Sequence, residues 1–340
     1  MKHSLHKIID RQDLSTEEIK EVFTHCFSEE VSDSELAAIL ISLKMKGETA
    51  EEVVGLSQVI QEHSPFLLNF HQPVMDNCGT GGDRSNSFNI STCSAFVLAG
   101  AGVTVAKHGN RSVSSQTGSA DVLEKLGVSL AFTKEQVNEM LEKNQIAFLF
   151  AQHVHPTLKQ VSKVRKDLRI PTIFNFIGPL TNPVHLNSQY IGVYDPAALP
   201  MVAKAAQLLG RERAIVIHGA GGLDEASLQG ENQYILVEND RLEERTIHPE
   251  EVGLSVYPND EIQGGNATDN ANILLSILSG EESAYLDTVL FNAGIALFTT
   301  RRAGSIYDGV KLARESINSG SALSKLNNLI TFSKKVSEVV

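Results

Sequence analysis

The chain has no tryptophan, only three cysteines, and no apolar run approaching the length that crosses a bilayer. Cys26, Cys78 and Cys93 are odd in number and lack metal or redox spacing, which argues against a disulfide framework and fits a reduced, cytosolic setting. Met1 to His6 carry no signal-peptide core, so a cytoplasmic protein without a membrane partner is expected. An excess of positive charge is missing too. Lys and Arg number 29 against 41 Asp and Glu, for a formal net charge of −12. That balance argues against a nucleic-acid partner but not against a polyanionic small substrate, which needs only local positive charge. Repeats and low-complexity tracts are absent. What remains is ordinary for a globular chain, with 42% hydrophobic and 21% charged residues, and 340 residues are enough for two domains.

The stretch around which the rest is organised runs from Asp76 to Thr92. An apolar lead-in, Pro73-Val74-Met75, reads as a strand; Gly79, Gly81 and Gly82 follow, and an apolar helix covers Cys93 to Gly100. Glycines admit positive φ and let an oxyanion approach backbone N–H groups, and a helix start adds unpaired donors. No Gly-Lys-Ser/Thr follows at nucleotide P-loop spacing, and Arg84 stands where the dinucleotide fingerprint needs its third glycine. A second strand-like run, Gly102 to Ala106, opens into the basic, hydroxyl-rich loop from Lys107 to Ser115. Parallel strands place both loops on one sheet edge, so two anion-holding devices face one crevice.

Before this, the first 70 residues read as helices only. Ser15-x-x-Glu18, Ser32-x-x-Glu35 and Thr49-x-x-Glu52 are capping boxes ahead of apolar residues at helical spacing, and Gly47 ends the middle helix. After the basic loop, Ser119 starts a helix, Val128–Phe132 reads as a strand, Thr133-x-x-Gln136 caps a helix, and Ile146–Phe150 is a buried strand. Leu158–Leu168 is a basic helix, and 171–183 is a proline- and glycine-punctuated loop returning to the helical domain. Gln189–Tyr194 and Arg213–His218 are strands, 233–247 is a hairpin, and the last 70 residues are helical. The expected fold is α/β, a mostly parallel central sheet flanked by helices, with a smaller all-helical N-terminal domain. The expected domains are 1–70, with a return segment near 171–185, and 71–340. His153 and His155 lack a third ligand at recognisable spacing, so packing or substrate contact is read there rather than zinc. Asp224-Glu225, after Gly221-Gly222 at a strand end, is a Mg²⁺ candidate beside two anion loops.

The runs GTGGD (79–83), FNIST (88–92), KHGNR (107–111), GSADVLEKLG (118–127) and FNFIGPLTNP (174–183), with GLDE (222–225) and the C-terminal NAGIAL and DGVKLARESINSG, carry a resemblance across nearly the whole chain. The chain resembles the anthranilate phosphoribosyltransferase family. The resemblance implies a nucleoside phosphorylase/phosphoribosyltransferase-like fold and a homodimer formed through the helical region. The reaction implied is a Mg²⁺-dependent pentosyl transfer from phosphoribosyl pyrophosphate (PRPP) to the amine of anthranilate, in tryptophan biosynthesis. PRPP would be held by Gly79, Gly82, Asp83, Ser87, Asn89, Ile90, Ser91 and Thr92, by Lys107, His108, Gly109, Asn110, Arg111, Ser112, Val113, Ser114 and Ser115, and by Ser119. Anthranilate would meet Gly79, Asn110 and Arg165. Asp224 and Glu225, with Ser91 for a second ion, would ligate two Mg²⁺, and no dedicated catalytic base is expected because an aromatic amine is already neutral. Ser87 replaces a frequent threonine, and Arg169 and Pro171 stand where many members have glycine and arginine, which leaves the acceptor contacts open. A nucleic-acid-binding relative and a pyrimidine nucleoside phosphorylase on the same scaffold are the alternatives. The net charge speaks against the first, and the second has no need of the Asp224-Glu225 pair.

Overall fold

The computed structural model describes residues 2–28, 31–111 and 117–338. Helices α1 (Lys2–Ile9), α2 (Thr16–Cys26), α3 (Asp33–Lys46) and α4 (Ala50–Glu62) come first. Ser15, Ser32 and Thr49 each accept the N3 backbone N–H while Glu18, Glu35 and Glu52 accept the cap residue's own N–H. Each box satisfies two donors that the helix itself cannot reach. Gly47, at φ +93°, closes α3 in a conformation that a β-carbon disfavours. Glu52 does a second job: fully buried, it accepts the Leu14 N–H at 3.0 Å and pairs with Lys46 at 3.1 Å, tying the α1–α2 connection to α4.

Strands and helices then alternate through β1 (Val74–Asp76), α5 (Ile90–Gly100), β2 (Thr104–Gly109), α6 (Ser119–Lys125), α7 (Lys134–Asn144), β3 (Ile146–Phe150), α8 (Ala151–Val154) and α9 (Leu158–Leu168). The chain continues with β4 (Ser188–Gly192), α10 (Leu199–Leu208), β5 (Arg213–His218), β6 (Asn232–Glu238) and β7 (Arg241–Ile247). Four helices close it: α11 (Ala267–Leu278), α12 (Ala284–Thr299), α13 (Ile306–Asn318) and α14 (Ser321–Glu338). The seven strands form one sheet in the order β3-β2-β1-β4-β5-β6-β7, parallel as far as β5 and antiparallel for the β6–β7 hairpin. Alternation along the strands separates two cores. Tyr190, Ile215, Ile217 and Leu236 face α5, α11, α12, α13 and α14, whereas Ile191, Ala214, Val216, Ile235 and Val237 share a core with α10 and the N-terminal helices. Phe174, Ile177 and Leu180 of the 171–183 loop join that second core, and Gln61 Nε2 donates to the Asn182 carbonyl at 2.9 Å.

Two expectations change. Val128–Phe132 is not a strand. Its N–H groups go to Leu123 O (Val128, 2.9 Å), Ser333 Oγ (Ser129, 3.0 Å) and Ser129 Oγ (Ala131, 3.2 Å), and β2 takes β3 as its outer neighbour instead. Val128 and Phe132 are nonetheless buried, which is why a short apolar run alone misleads. The helix expected from Cys93 begins at Ile90, within the polar FNIST run.

Helices α12 and α13 cross where Gly294 meets Gly309. A β-carbon at Gly309 would lie 2.2 Å from the Gly294 carbonyl oxygen, and one at Gly294 would lie 2.6 Å from Val310 Cγ2. Gly309→Ala should therefore lower stability by about 1–3 kcal/mol, read as an earlier urea midpoint. An unchanged midpoint would mean the two helices separate at no cost.

Candidate active site

The chain lays β2 and β3 to one side of β1 and then places β4 and β5 on the other, so the strand order reverses between β1 and β4. In open parallel sheets the crevice beyond the carboxyl ends at such a reversal is where ligands bind. Three loops meet there. Thr80 N–H donates to Gly192 O at 2.9 Å, and Gly81 N–H donates to Asp224 Oδ2 at 2.6 Å, which joins the glycine turn to the end of β4 and to the loop after β5. Glycine is required at two of these contacts. A β-carbon on Gly192 would sit 1.6 Å from the Asp224 carbonyl oxygen, and one on Gly79 would sit 2.5 Å from Asp224 Oδ2.

The turn itself runs left-handed at Gly81 (φ +68°), Gly82 (+90°), Arg84 (+59°) and Asn86 (+55°). Asp83 accepts the Ser85 N–H at 3.3 Å, and Ser87 forms a bridge with Gln263. Asn89 stands at the N-cap of α5 but spends its side chain elsewhere, donating to Thr117 O and accepting from Asn270 Nδ2 at 2.9 Å. The helix start at Ile90, Ser91 and Thr92 therefore has no side-chain cap, and buried Thr92 Oγ1 has no partner among the described residues. Such a start suits an anion.

From β2 come Lys107, His108 and Gly109. Lys107 is 3% exposed and donates to its neighbour's carbonyl at 3.0 Å, with the Asp76 and Glu225 carboxyls nearby. A β-carbon on Gly109 would strike Ser119 Oγ at 2.3 Å, and Ser119 Oγ donates to Asn110 O, so the basic loop and the α6 start lie together. Arg111 points away from a free anion-holding role: it is paired with Asp121 at 2.6 Å and Glu124 at 3.0 Å and lies over the Phe150 ring. Ser112, Val113, Ser114 and Ser115 lie outside the described residues.

The acids crowd one another. Burial and the neighbouring Asp83 carboxyl push Asp224 up to about 7, although part of the residue stays open to solvent. Glu225, 8% exposed, is held well above the usual carboxylate range by burial and by Asp224; Lys107 and a hydrogen bond from Ser91 act the other way. Asp224, Glu225 and Ser91 form an all-oxygen donor set whose carboxyls resist ionising together. That set fits a hard divalent cation such as Mg²⁺, whose charge would offset their repulsion.

Arg165 lies on α9, outside the glycine turn and the basic loop in sequence. Half-buried on α9, its guanidinium lies 5.2 Å over the Phe174 ring, has no carboxylate partner among the described residues, and is lowered by desolvation. Sequence reasoning gave no role to Asp76 and Asn182, which lock the crevice floor. Asp76 is fully buried and accepts from His108 N–H (3.2 Å) and Asn182 Nδ2 (3.0 Å), and Asn182 Nδ2 also reaches Ala106 O (2.8 Å). The 259–270 segment, likewise unforeseen, ties Phe88 N–H to Ile262 O and Gly264 N–H to Asn86 O. An aspartate closing an apolar strand is the one local signal that could have pointed to Asp76.

With this geometry in view, known proteins supply the comparison. Residues 2–64 match the glycosyl transferase family helical bundle domain and residues 71–323 the glycosyl transferase family a/b domain. An anthranilate phosphoribosyltransferase of Oceanobacillus iheyensis is 94% identical over 340 residues, 100% of each chain. The chain belongs to the anthranilate phosphoribosyltransferase family. The crystal structure of the Thermus thermophilus enzyme superposes with a TM-score of 0.92 at 38% identity, covering 97% of this chain and 99% of that one. The Saccharomyces cerevisiae enzyme in complex with PRPP and Mg superposes at 0.89 with 26% identity, covering 98% and 99%. The same yeast enzyme with 4-fluoroanthranilate gives 0.87 at 27% identity, covering 97% of each chain.

His155, 1% exposed, is pushed down to about 3 by burial and by His108, whose ring meets it edge-on at 5.3 Å. The unfolded chain binds the proton at about pH 6.5 and the folded chain does not, so stability is held above that pH and lost as pH falls towards 3. A stability–pH series should show a loss approaching about 1.4 kcal/mol per pH unit in this window, reduced in His155→Phe. Identical slopes for the two proteins would remove His155 from the acid response.

Proposed function

We propose that this chain transfers the phosphoribosyl group of PRPP to the amine of anthranilate, giving N-(5-phosphoribosyl)anthranilate and pyrophosphate in tryptophan biosynthesis. The observation that carries the reading is the meeting of the glycine turn, the uncapped start of α5, buried Lys107 and the Asp224-Glu225 pair at the strand-order reversal. The C1–O bond to pyrophosphate breaks with its electron pair leaving on oxygen, the amine nitrogen bonds to C1, and the amine proton goes to solvent. Charge at C1 grows as in glycosidic cleavage, so positioning and fixed electrostatics supply the rate.

The glycine turn from Gly79 with Ser87 and the N–H groups of Asn89 to Thr92 hold the pyrophosphate, and Asp83 accepts from the ribose side or from metal-bound water. Lys107 adds a buried point charge, and His108, Gly109, Asn110, Arg111 and Ser119 extend the cradle, with Arg111 acting through its ion pairs to Asp121 and Glu124. Asp224, Glu225 and Ser91 hold Mg²⁺, two ions in all, whose charge neutralises the departing pyrophosphate. Gly79, Asn110 and Arg165 orient anthranilate. The chain acts in the cytoplasm as a homodimer. The exposed apolar side chains of Ile9 (58%), Met45 (73%) and Ile170 (43%), on or next to the helical region, support that pairing, and among the described residues no helix is long and apolar enough to cross a membrane.

Loss of anthranilate fluorescence in the presence of PRPP and Mg²⁺ tests the reaction directly, and a folded preparation without turnover would defeat it. Asp224→Asn with Glu225→Gln should abolish turnover at limiting Mg²⁺ without lowering the melting temperature, whereas retained turnover would make the pair a solvated turn. Arg165→Ala should raise the anthranilate KM roughly ten- to a hundredfold while leaving the PRPP KM in place, the scale of one lost hydrogen bond to a charged group. An equal rise for both substrates would put the acceptor elsewhere.

A further inference from the structure

We propose that Asp76, Cys78 and His108 form a second cation site, distinct from the acidic pair, that takes a thiophilic divalent ion such as Zn²⁺. One ligand atom from each of the three side chains lies within 4.8 Å of the other two. One thiol sulfur, one imidazole nitrogen and one carboxylate oxygen make a three-ligand zinc set, held at about 2.0–2.3 Å from the ion with a fourth position open. Mg²⁺ is a poor fit, since it demands oxygen ligands and octahedral geometry. Asp76 and His108 are 0% and 3% exposed, while Cys78 is half-buried.

Each ligand has capacity to spare. His108 Nδ1 lies 2.9 Å from the Gly178 carbonyl oxygen, which can only accept, so the ring proton resides on Nδ1. Nε2 is then a bare lone pair, buried and without a partner among the described residues. A carbonyl holding the far ring N–H is the usual way a protein orients a metal-ligating histidine. The Asp76 oxygens accept from His108 N–H and Asn182 Nδ2, and a carboxylate has about four lone-pair sites, so both retain donor capacity. Cys78 Sγ has one polar contact among the described residues, donated to Gly79 O at 3.3 Å. Lys107 opposes an incoming cation, while the carboxyls of Asp76, Asp224 and Glu225 lie around the sulfur.

Binding breaks the Cys78 S–H bond, releases that proton to solvent and forms the metal–sulfur bond without any change of oxidation state. Cys78 belongs to the glycine turn and His108 to the basic loop. An ion between them clamps together the two arms assigned to PRPP, so Zn²⁺ is expected to inhibit; this consequence, unlike the site itself, rests on the proposed function.

The test uses the full chain with Co²⁺ as a spectroscopic stand-in. A thiolate-to-cobalt charge-transfer band should appear with one equivalent bound, persist in Cys93→Ala and Cys26→Ala, and vanish in Cys78→Ala and Cys78→Ser. Circular dichroism of each variant establishes that it is folded. No band in the unsubstituted protein, or a band surviving the loss of Cys78, would overturn the site whatever reaction the enzyme performs. In parallel, Zn²⁺ inhibition at saturating Mg²⁺ should weaken by on the order of 10–100-fold in Cys78→Ser. Equal inhibition of both proteins would mean that Zn²⁺ acts at Asp224-Glu225, and the inhibitory clamp would be wrong.

Discussion

The contact between the Asp224 backbone and Gly192, so close that a β-carbon would lie 1.6 Å from the Asp224 carbonyl oxygen, sets the geometry of the crevice. Because β4 ends against the acidic loop with nothing between them, Asp224 reaches the glycine turn and accepts the Gly81 N–H. The same approach buries Asp224 and Glu225 side by side, and burial first, then the neighbouring carboxyls, raises the proton affinity of both. Electrostatics in this site is thus a consequence of backbone packing. A side chain at position 192 would move the acids away from the turn before it changed any charge.

Behind this wall runs a buried polar network that joins the ends of β1, β2 and β4 to the 178–182 segment. Arg211 Nε donates to Gln189 Oε1 at 2.9 Å, Gln189 Nε2 to Pro179 O, Asn182 to Asp76, and His108 Nδ1 to Gly178 O. Buried groups of this kind cost several kcal/mol if left unpaired, so the 178–182 segment is held against the sheet by polar satisfaction as well as by Leu180 in the core. A loop rich in proline and glycine acquires a single position in this way.

Much of this was legible because local chemistry and tertiary packing agree. Ser15, Ser32 and Thr49 cap the helices they precede, and the 233–247 hairpin pairs as its alternation implies. The glycine turn and the basic loop were expected on one sheet edge, and β1 and β2, which lead into them, do pair in parallel. Where long-range partners decide, the sequence was silent. Val128–Phe132 has strand composition, but Ser333 claims its backbone. Asn89 has the chemistry of a helix cap, but Asn270 and Thr117 take its side chain. Arg111 was read as a phosphate ligand, and its pairing with Asp121 and Glu124 on the next helix had no signal in the sequence.

The outer strand of the hairpin has a bearing on how copies of this chain coexist at high concentration. From Arg241 to Thr246 every residue of β7 is exposed, and four of the six are charged: Arg241, Glu243, Glu244 and Arg245. An open strand edge offers unpaired N–H and C=O groups to any passing strand. Charges on both faces of β7 would have to be stripped of water, or set against their own kind, before a neighbouring sheet could dock there in register. The sheet therefore stops growing at β7, and edge-to-edge polymerisation is discouraged at the place where the architecture is most open to it.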